Sequence, residues 1–478
     1  MPRLWDRKKL NQRNKLLIVI GLTLPLIGAL SVAGILRENQ IPFLLGGYQT
    51  LPLDGHQRLL VLAPHCDDET LGAAGLMQEA QRRGMEIRVV IATNGDGYLF
   101  ATMRDFHRLY PRPADFIRLG NLRQEESLNA LGLLGVQPDQ VSFLSYPDRG
   151  LSSMWNDHWS ADNPYRSPYS RATHSPYNVT YNPDSVYAGE DLLADLRSIL
   201  DSYQPDLVIY PHPDDIHSDH WGLSAFTRLA LALEEHDRSD FHPDAFAYLV
   251  HRSDFPIPKK LHPQDYLDPP AVLLNLGTSW QTLPLSEDEV NRKAQAVLRY
   301  RSQLPLLRNL LESFIRQNEL FSQPETITLA RLSQGELDNP DTWRDANGDN
   351  ITPVQRDPAR DFITRDVIVA ADLVELYAAQ DAQDQLVVCA RVRKKADAAL
   401  IYELRVKASG AQGVVDHVAR NHRGRTDWHR AQLAGEFICD QVGLSELGSP
   451  WLVAIGANVR ELGVGTLDQI AWQMVDVP

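Results

Sequence analysis

The sequence predicts an α/β protein: a Rossmann-like, mostly parallel sheet with helices on both faces, followed by an all-β sandwich-like unit and preceded by a transmembrane helix. Three observations predict it. Short apolar runs alternate with helical stretches between residues 58 and 251; short β-type runs separated by turn residues follow from about residue 366; and residues 16–36 are uncharged and mostly apolar. A chain of 478 residues exceeds the usual size of one hydrophobic core, so two folded units with accessory segments are expected.

Residues 58–64 (RLLVLAP) read as a short buried strand, 70–83 as a helix closed by Gly84, and 87–93 (IRVVIAT) as a second strand. That order is a βαβ unit, which requires a parallel pair and a covering helix. The pattern continues with a helix at 122–134 stopped by Gly135, a strand at 141–146, a helix at 190–203, a strand at 206–211, a helix at 220–235 and a strand at 245–251. A helical stretch runs from 287 to about 320. Two connections, 95–120 and 149–187, exceed ordinary loop lengths. The second is rich in Tyr, Trp, Asn, Ser and Pro, which suits a sugar-contacting rim and equally a surface loop.

Residues 326–365 are polar with Pro and Asp and read as a linker, and 366–478 carry runs such as QLVVCARV, ALIYELRVKA and WLVAIGANV at the spacing of a small antiparallel sandwich. Within the linker Asp345, Asn347 and Asp349 alternate as calcium ligands do, but Gly348 is misplaced for an EF-hand loop and the twelfth-position acid is absent.

At about 1.5 Å per residue, residues 16–36 as a helix just cross a hydrocarbon core of about 30 Å. Arg3, Arg7, Lys8, Lys9, Arg13 and Lys15 precede this run against the single acid Asp6. The bias predicts a cytoplasmic segment 1–15, a signal anchor at 16–36, and everything after it outside the cytoplasm. Cleavage near Ser31-Val32-Ala33 is the competing reading and makes the protein secreted.

The net charge of −15 argues against nucleic acid as a partner, since binding it without sequence preference requires basic surface. The three cysteines, Cys66, Cys389 and Cys439, are too few for a disulfide framework or a thiolate metal site; one bridge between Cys389 and Cys439 is conceivable. Oligomeric state is not legible.

Two clusters carry the chemistry. Pro64-His65-Cys66-Asp67-Asp68-Glu69-Thr70 lies where one predicted strand passes into a helix, and the nine residues from His212 to His220 (HPDDIHSDH) lie where another does. Both fall on the carboxyl edge of the sheet, where open α/β folds bind ligands. Imidazole and carboxylate donors suit Zn²⁺, with iron, cobalt and nickel also acceptable, and three protein ligands leave a position for water. Of the adjacent aspartates Asp67 and Asp68, one can ligate while the other accepts a proton from that water; spacing alone does not say which. Taken singly, Asp67, Asp68 or Thr70 could cap one helix and Asp215 to Asp219 the next.

PHCDDETLGAAG resembles the A-H-P-D-D-E-x-x-G-x-G signature of the PIG-L/LmbE-like zinc N-deacetylases. Arg123, Glu126, Ala130 and Leu134-Gly135 resemble the family's R-x-x-E helix, FLSYPDRGL its F-L-x-Y-P-D segment, DDIHSDH its D-x-H-x-D-H motif, and Lys293, Tyr300 and Ser302-Gln303 its closing helix; together they cover residues 57–325. The resemblance implies an LmbE-like fold and a zinc-dependent deacetylase of N-acetylglucosamine-containing substrates. It implies His65, Asp68 and His220 as metal ligands and Asp67 as general base. It further implies His217 as the group that stabilises the developing oxyanion with Asp219 orienting it, and Arg123 and Asp148 as substrate contacts. Cys66 departs from the family's proline and places a thiol beside the metal.

With the predicted export, these readings point to an envelope glycan, glycolipid or oligosaccharide as substrate and to the membrane as a partner of the N-terminal helix. Two other functions compete: a glycan-binding surface protein with a vestigial metal site, and a zinc amidase acting on a non-sugar acyl group. On the deacetylase reading, deleting residues 366–478 is expected to spare hydrolysis of a small soluble substrate.

Overall fold

The computed structural model describes residues 48–361, 367–421 and 429–478. Its central element is an eight-stranded sheet. Five parallel strands form its middle: β2 (Arg58–Ala63), β3 (Glu86–Thr93), β4 (Val141–Tyr146), β5 (Leu207–Pro211) and β6 (Asp244–Tyr248). Their order is β6-β5-β2-β3-β4, so the chain leaves β2 towards β3 on one side and later builds β5 and β6 on the other. β7 (Trp280–Pro284) and β8 (Asn318–Ser322) extend the sheet through antiparallel pairings, and β1 (Gln49–Thr50) pairs parallel with β7.

Helices cover both faces. α1 (Asp68–Arg82), α2 (Leu99–Asp105), α3 (Pro113–Leu133), α4 (Leu151–Asn156), α5 (Gly189–Tyr203) and α6 (Ser218–Asp237) precede β6. α7 (Ala271–Asn275), α8 (Glu287–Val297) and α9 (Leu304–Leu311) follow it. In β2 the residues Leu59, Val61 and Ala63 join one apolar cluster and Leu60 and Leu62 the other, which is the period-2 division of a strand buried on both faces. α5 buries Leu192, Leu193, Leu196, Ile199 and Leu200, the i, i+3/i+4 stripe that turns one helix side to the sheet.

Three expectations shift. The helix predicted at 122–134 begins at Pro113, where proline at the first turn costs no hydrogen bond. The stretch predicted helical from 287 to about 320 breaks between Val297 and Leu304, and Asn318–Ser322 is a sheet strand. The expected linker contributes strands: β9 (Ile327–Thr328) pairs with β20 (Gly465–Asp476), while β10 (Ala330–Arg331) and β11 (Gln355–Arg356) pair with β12 (Leu373–Gln380). There, Asp345 spends one oxygen on the N–H groups of Asn347 and Asp349, an ordinary turn rather than a calcium loop.

The C-terminal β-rich region consists of two six-stranded sheets. One contains β12 (Leu373–Gln380), β13 (Gln385–Val392), β17 (Gln432–Ala434) and β18 (Phe437–Gly443); the other contains β14 (Ile401–Gly410), β15 (Gly413–Arg420), β16 (His429–Arg430), β19 (Leu452–Glu461) and β20 (Gly465–Asp476). Cys389 and Cys439 are directly opposite on β13 and β18 and form a disulfide. Val453, Ile455 and Ala457 of β19 face the sandwich core. Leu452 and Ala454 point the other way, into one cluster with Leu196 of α5 and Phe226 of α6. Trp472 of β20 meets Trp155 edge-on at 5.3 Å, and Arg228 donates to the Trp472 carbonyl at 2.9 Å.

The expected membrane helix at residues 16–36 lies outside the described residues. Among those described, no helix is long and apolar enough to cross a membrane.

Candidate active site

The site forms where β2 and β5 lie side by side and their chain connections diverge, the crevice position of a doubly wound sheet. The segment after β2 carries His65 to Asp67 into α1, and the segment after β5 carries His212 to His217 into α6. Two helix N-termini, each with partial positive charge, thus open on the same crevice.

Three donor atoms converge there. His65 Nδ1 and His220 Nε2 each lie 3.0 Å from Asp68 Oδ2. His220 is fully buried, with Nε2 3.0 Å from Asp68 Oδ2 and Nδ1 3.0 Å from Asp215 Oδ2, and neither ring nitrogen makes an aligned hydrogen bond. Two imidazole nitrogens within 3.0 Å of one carboxylate oxygen suit a cation shared by all three. Ligand atoms around tetrahedral zinc, with bonds of about 2.0–2.1 Å, stand about 3.3 Å apart, close to this spacing. The residues therefore fit the metal the resemblance implies.

Asp67 occupies a strained turn with φ of 154°, and its own N–H is held by Glu69 Oε2 at 2.9 Å. Arg123 reaches from α3 beneath this turn, donating to the carbonyls of Cys66 at 2.8 Å and Gly95 at 2.9 Å and standing 3.2 Å from Asp67 Oδ1. Burial raises the Asp67 carboxyl to about 7, against the pull of Arg123. Gly95 has φ of +60°, and a Cβ there would collide with the Arg123 guanidinium. Arg123 was expected to contact substrate. Its guanidinium is buried and faces the turn that presents Asp67.

Asp148, also expected at the substrate, is 5% exposed; it accepts the Gly97 N–H at 2.7 Å and lies 3.5 Å from His65 Nε2. Burial opposes its ionisation, but the bond to His65 and nearby positive charge hold its carboxyl below the usual range. Asp219 was expected to orient His217. Its carboxylate accepts the N–H groups of Arg149 at 2.6 Å and Leu151 at 3.0 Å and lies 3.3 Å from His65 Nε2. The Asp219 backbone donates its N–H to His217 Nδ1 at 3.3 Å. The His217 ring centroid is 4.7 Å from that of His65, and burial lowers its pKa to about 4, so it stays neutral near pH 7.

Three residues completing the site were not picked out from sequence. Asp215 Oδ2 lies 3.0 Å from His220 Nδ1 while accepting the N–H groups of Val250 and His251. His251, at the end of the predicted strand 245–251, brings Nε2 to 4.0 Å from Asp68 Oδ1; its position on the same sheet edge was the available signal. Glu69 is fully buried and bonded by Ser127 and Tyr300. The closing-helix residues act as braces: Tyr300 on Glu69, Ser302 on Glu126, and Lys293 on Glu319 and the Leu71 carbonyl. Cys66 packs in the apolar cluster with Ala63 and Leu71, and burial pushes its thiol well up, so it is a small hydrophobe here.

Residues 60–231 match the PIG-L family, described as GlcNAc-PI de-N-acetylase, which bears out the resemblance read from the motifs. A 1D-myo-inositol 2-acetamido-2-deoxy-alpha-D-glucopyranoside deacetylase from Mycobacterium sp. (strain KMS) is 33% identical over 183 residues, 36% of this chain and 50% of its own. One from Corynebacterium urealyticum is 34% identical over 185 residues, 37% and 50% of the two chains. The chain thus spans about half the length of the curated relatives it matches. Among solved structures, the N,N'-diacetylchitobiose deacetylase of Pyrococcus horikoshii covers 66% of this chain and 93% of its own at 17% identity, with a TM-score of 0.35. A deacetylase of teicoplanin biosynthesis covers 56% and 97% at 20% identity, with a TM-score of 0.36.

The expected location, single-pass with an extracytoplasmic catalytic domain, is corrected. The curated relatives are named for action on an inositol glycoside. Neither anchoring nor export is carried further.

Proposed function

We propose that this chain is a zinc-dependent hydrolase that removes the N-acetyl group from an N-acetylglucosamine-containing sugar, glycolipid or oligosaccharide, yielding the free amine and acetate. The observation that carries the reading is the convergence of His65 Nδ1, Asp68 Oδ2 and His220 Nε2 beside the Asp67 carboxylate. The family match over these residues supports it, and so do the names of the curated relatives.

His65, Asp68 and His220 would hold the ion, which when bound acidifies a water and polarises an amide carbonyl. Asp67 takes a proton from the attacking water and returns one to the departing amine. Arg123 keeps its carboxylate oriented throughout. His217 Nδ1 accepts a backbone N–H, so the neutral ring carries its proton on Nε2, free to donate to the carbonyl oxygen as charge develops there. Asp219 and Asp148 fix the His65 ring through Nε2.

The test is acetate release by the zinc-loaded full chain from N-acetylglucosamine, its short oligomers, an N-acetylglucosaminyl inositol and a non-sugar N-acetyl amine, beside Asp67→Asn. Release from the sugars that depends on Asp67 is expected. Turnover of the non-sugar amide alone would replace the substrate class, and sugar binding without turnover would replace the reaction.

A further inference from the structure

His251 reaches the metal crevice from a third strand end. It follows β6 by three residues, and β6 pairs in parallel with β5, whose outgoing segment leads to His217 and His220. Two backbone hydrogen bonds fasten it to that segment. Its N–H donates to Asp215 Oδ2 at 2.9 Å, and its carbonyl accepts the Ile216 N–H at 3.0 Å. The same Asp215 oxygen lies 3.0 Å from His220 Nδ1, so one carboxylate sets the position of both histidines.

The side chain is 27% exposed and turned towards the ligands. Its ring centroid lies 4.5 Å from that of His220, edge-on, and 5.1 Å from that of His217. Nε2 stands 4.0 Å from Asp68 Oδ1. One ligand atom from each of His65, Asp68, His220 and His251 falls within 4.8 Å of the other three. Among the described residues, neither ring nitrogen of His251 makes a hydrogen bond. His212, at the start of the same segment, is the contrast: it stacks on Trp280 and spends Nδ1 on the Asp214 N–H, as a packing histidine does.

We infer that His251 is a fourth protein ligand of the catalytic metal, bound through Nε2 beside His65, Asp68 and His220; this rests on the metal-dependent reading above. A separation of 4.0 Å from Asp68 Oδ1 is too long for a hydrogen bond. It suits an ion between the two atoms, because bonds of about 2.0–2.2 Å let ligands on far sides of one zinc stand about 4 Å apart. Three imidazoles and one carboxylate make a nitrogen-rich set, which selects zinc, iron, cobalt or nickel over magnesium and calcium. Zinc can expand to five ligands, so a position for water remains. The fourth ligand therefore adds retention of the ion while leaving Asp67 its role.

Two measurements on the full chain test this without turnover: zinc affinity by competition against a chromogenic chelator, and the visible spectrum of the cobalt-loaded protein, whose band intensities report coordination number. His251→Ala is expected to lower zinc affinity about tenfold or more, and to strengthen the cobalt bands as the ion passes from five ligands to four. Asp215 holds the backbone N–H of residue 251, so the substitution leaves that bond in place. His251→Gln, similar in reach and a poor ligand, should give the same two changes and serves where the alanine variant fails to fold. Unchanged affinity, or an unchanged cobalt spectrum, in a folded variant overturns the assignment and leaves His251 as a packing partner of His220. Acetate release by the wild type is scored separately, so an overturned ligand leaves the deacetylase reading standing.

Discussion

Nδ1 of His220 lies 3.0 Å from Oδ2 of Asp215. The same Asp215 accepts backbone N–H groups from His217, Val250 and His251, so one carboxylate joins the segment after β5 to the end of β6 and aims His220 at Asp68. Burial works against its ionisation, but His220 and these N–H groups outweigh that and hold it well below the usual range. Asp215→Asn is expected to weaken zinc affinity by about 10–100-fold. Competition against a chromogenic chelator measures it, and unchanged affinity would mean that His220 is aimed by packing alone.

Asp67 and Asp68 are adjacent in sequence and opposite in contacts: Asp68 meets two imidazoles, while Asp67 meets Arg123. His220→Ala should remove bound zinc. Asp67→Asn should retain it and lose about 10²–10⁴-fold in kcat, the usual worth of a general base. Metal analysis beside acetate release separates them; equal zinc loss in both would exchange the roles of Asp67 and Asp68.

Arg123→Lys keeps the charge but cannot reach the Cys66 carbonyl, the Gly95 carbonyl and Asp67 with one planar fork. The expected result is a fall in kcat with KM nearly unchanged. A rise in KM at constant kcat would instead return Arg123 to the substrate.

His212 is 1% exposed, stacks on Trp280 and accepts the Asp214 N–H through Nδ1. Burial lowers its pKa from 6.5 to about 3. Between those values the unfolded chain binds a proton that the folded one refuses. Its contribution to stability is thus complete above pH 6.5 and is lost as pH falls towards 3, by up to about 1.4 kcal/mol per pH unit. Urea melts from pH 7.5 downward should show His212→Phe with a shallower acid dependence than wild type; parallel curves would assign the proton elsewhere.

Removing residues 366–478 was expected to spare hydrolysis. Leu452, Ala454, Trp472 and Met474 share an apolar cluster with Trp155, Leu196 and Phe226, so the cut exposes one side of that cluster. The truncated chain should be aggregation-prone and melt well below the full chain, read by light scattering and thermal denaturation. A soluble, cooperatively folded truncation would show the interface to be dispensable.

The α/β order and both motif positions were legible because each rests on local pattern: apolar runs, a following helix, and side chains two or three residues apart. The break before Leu304 was not. Its residues fit a helix by composition, and what ends it is distant, with Glu126 of α3 accepting the Ser302 N–H and hydroxyl. The partner of Asp219 was hidden for the same reason, because His65 lies 154 residues earlier in the chain.

The sequence by itself determined the strand-turn-helix units, the two donor clusters and the carboxyl edge they share, since these follow from short-range periodicity and from which atoms the side chains carry. Tertiary structure alone decided that Arg123 stands beneath Asp67 and that β19 and β20 are buried on both faces. Those outcomes depend on segments brought together by the sheet order and by burial. An apolar run shows that a strand is covered, but not by what.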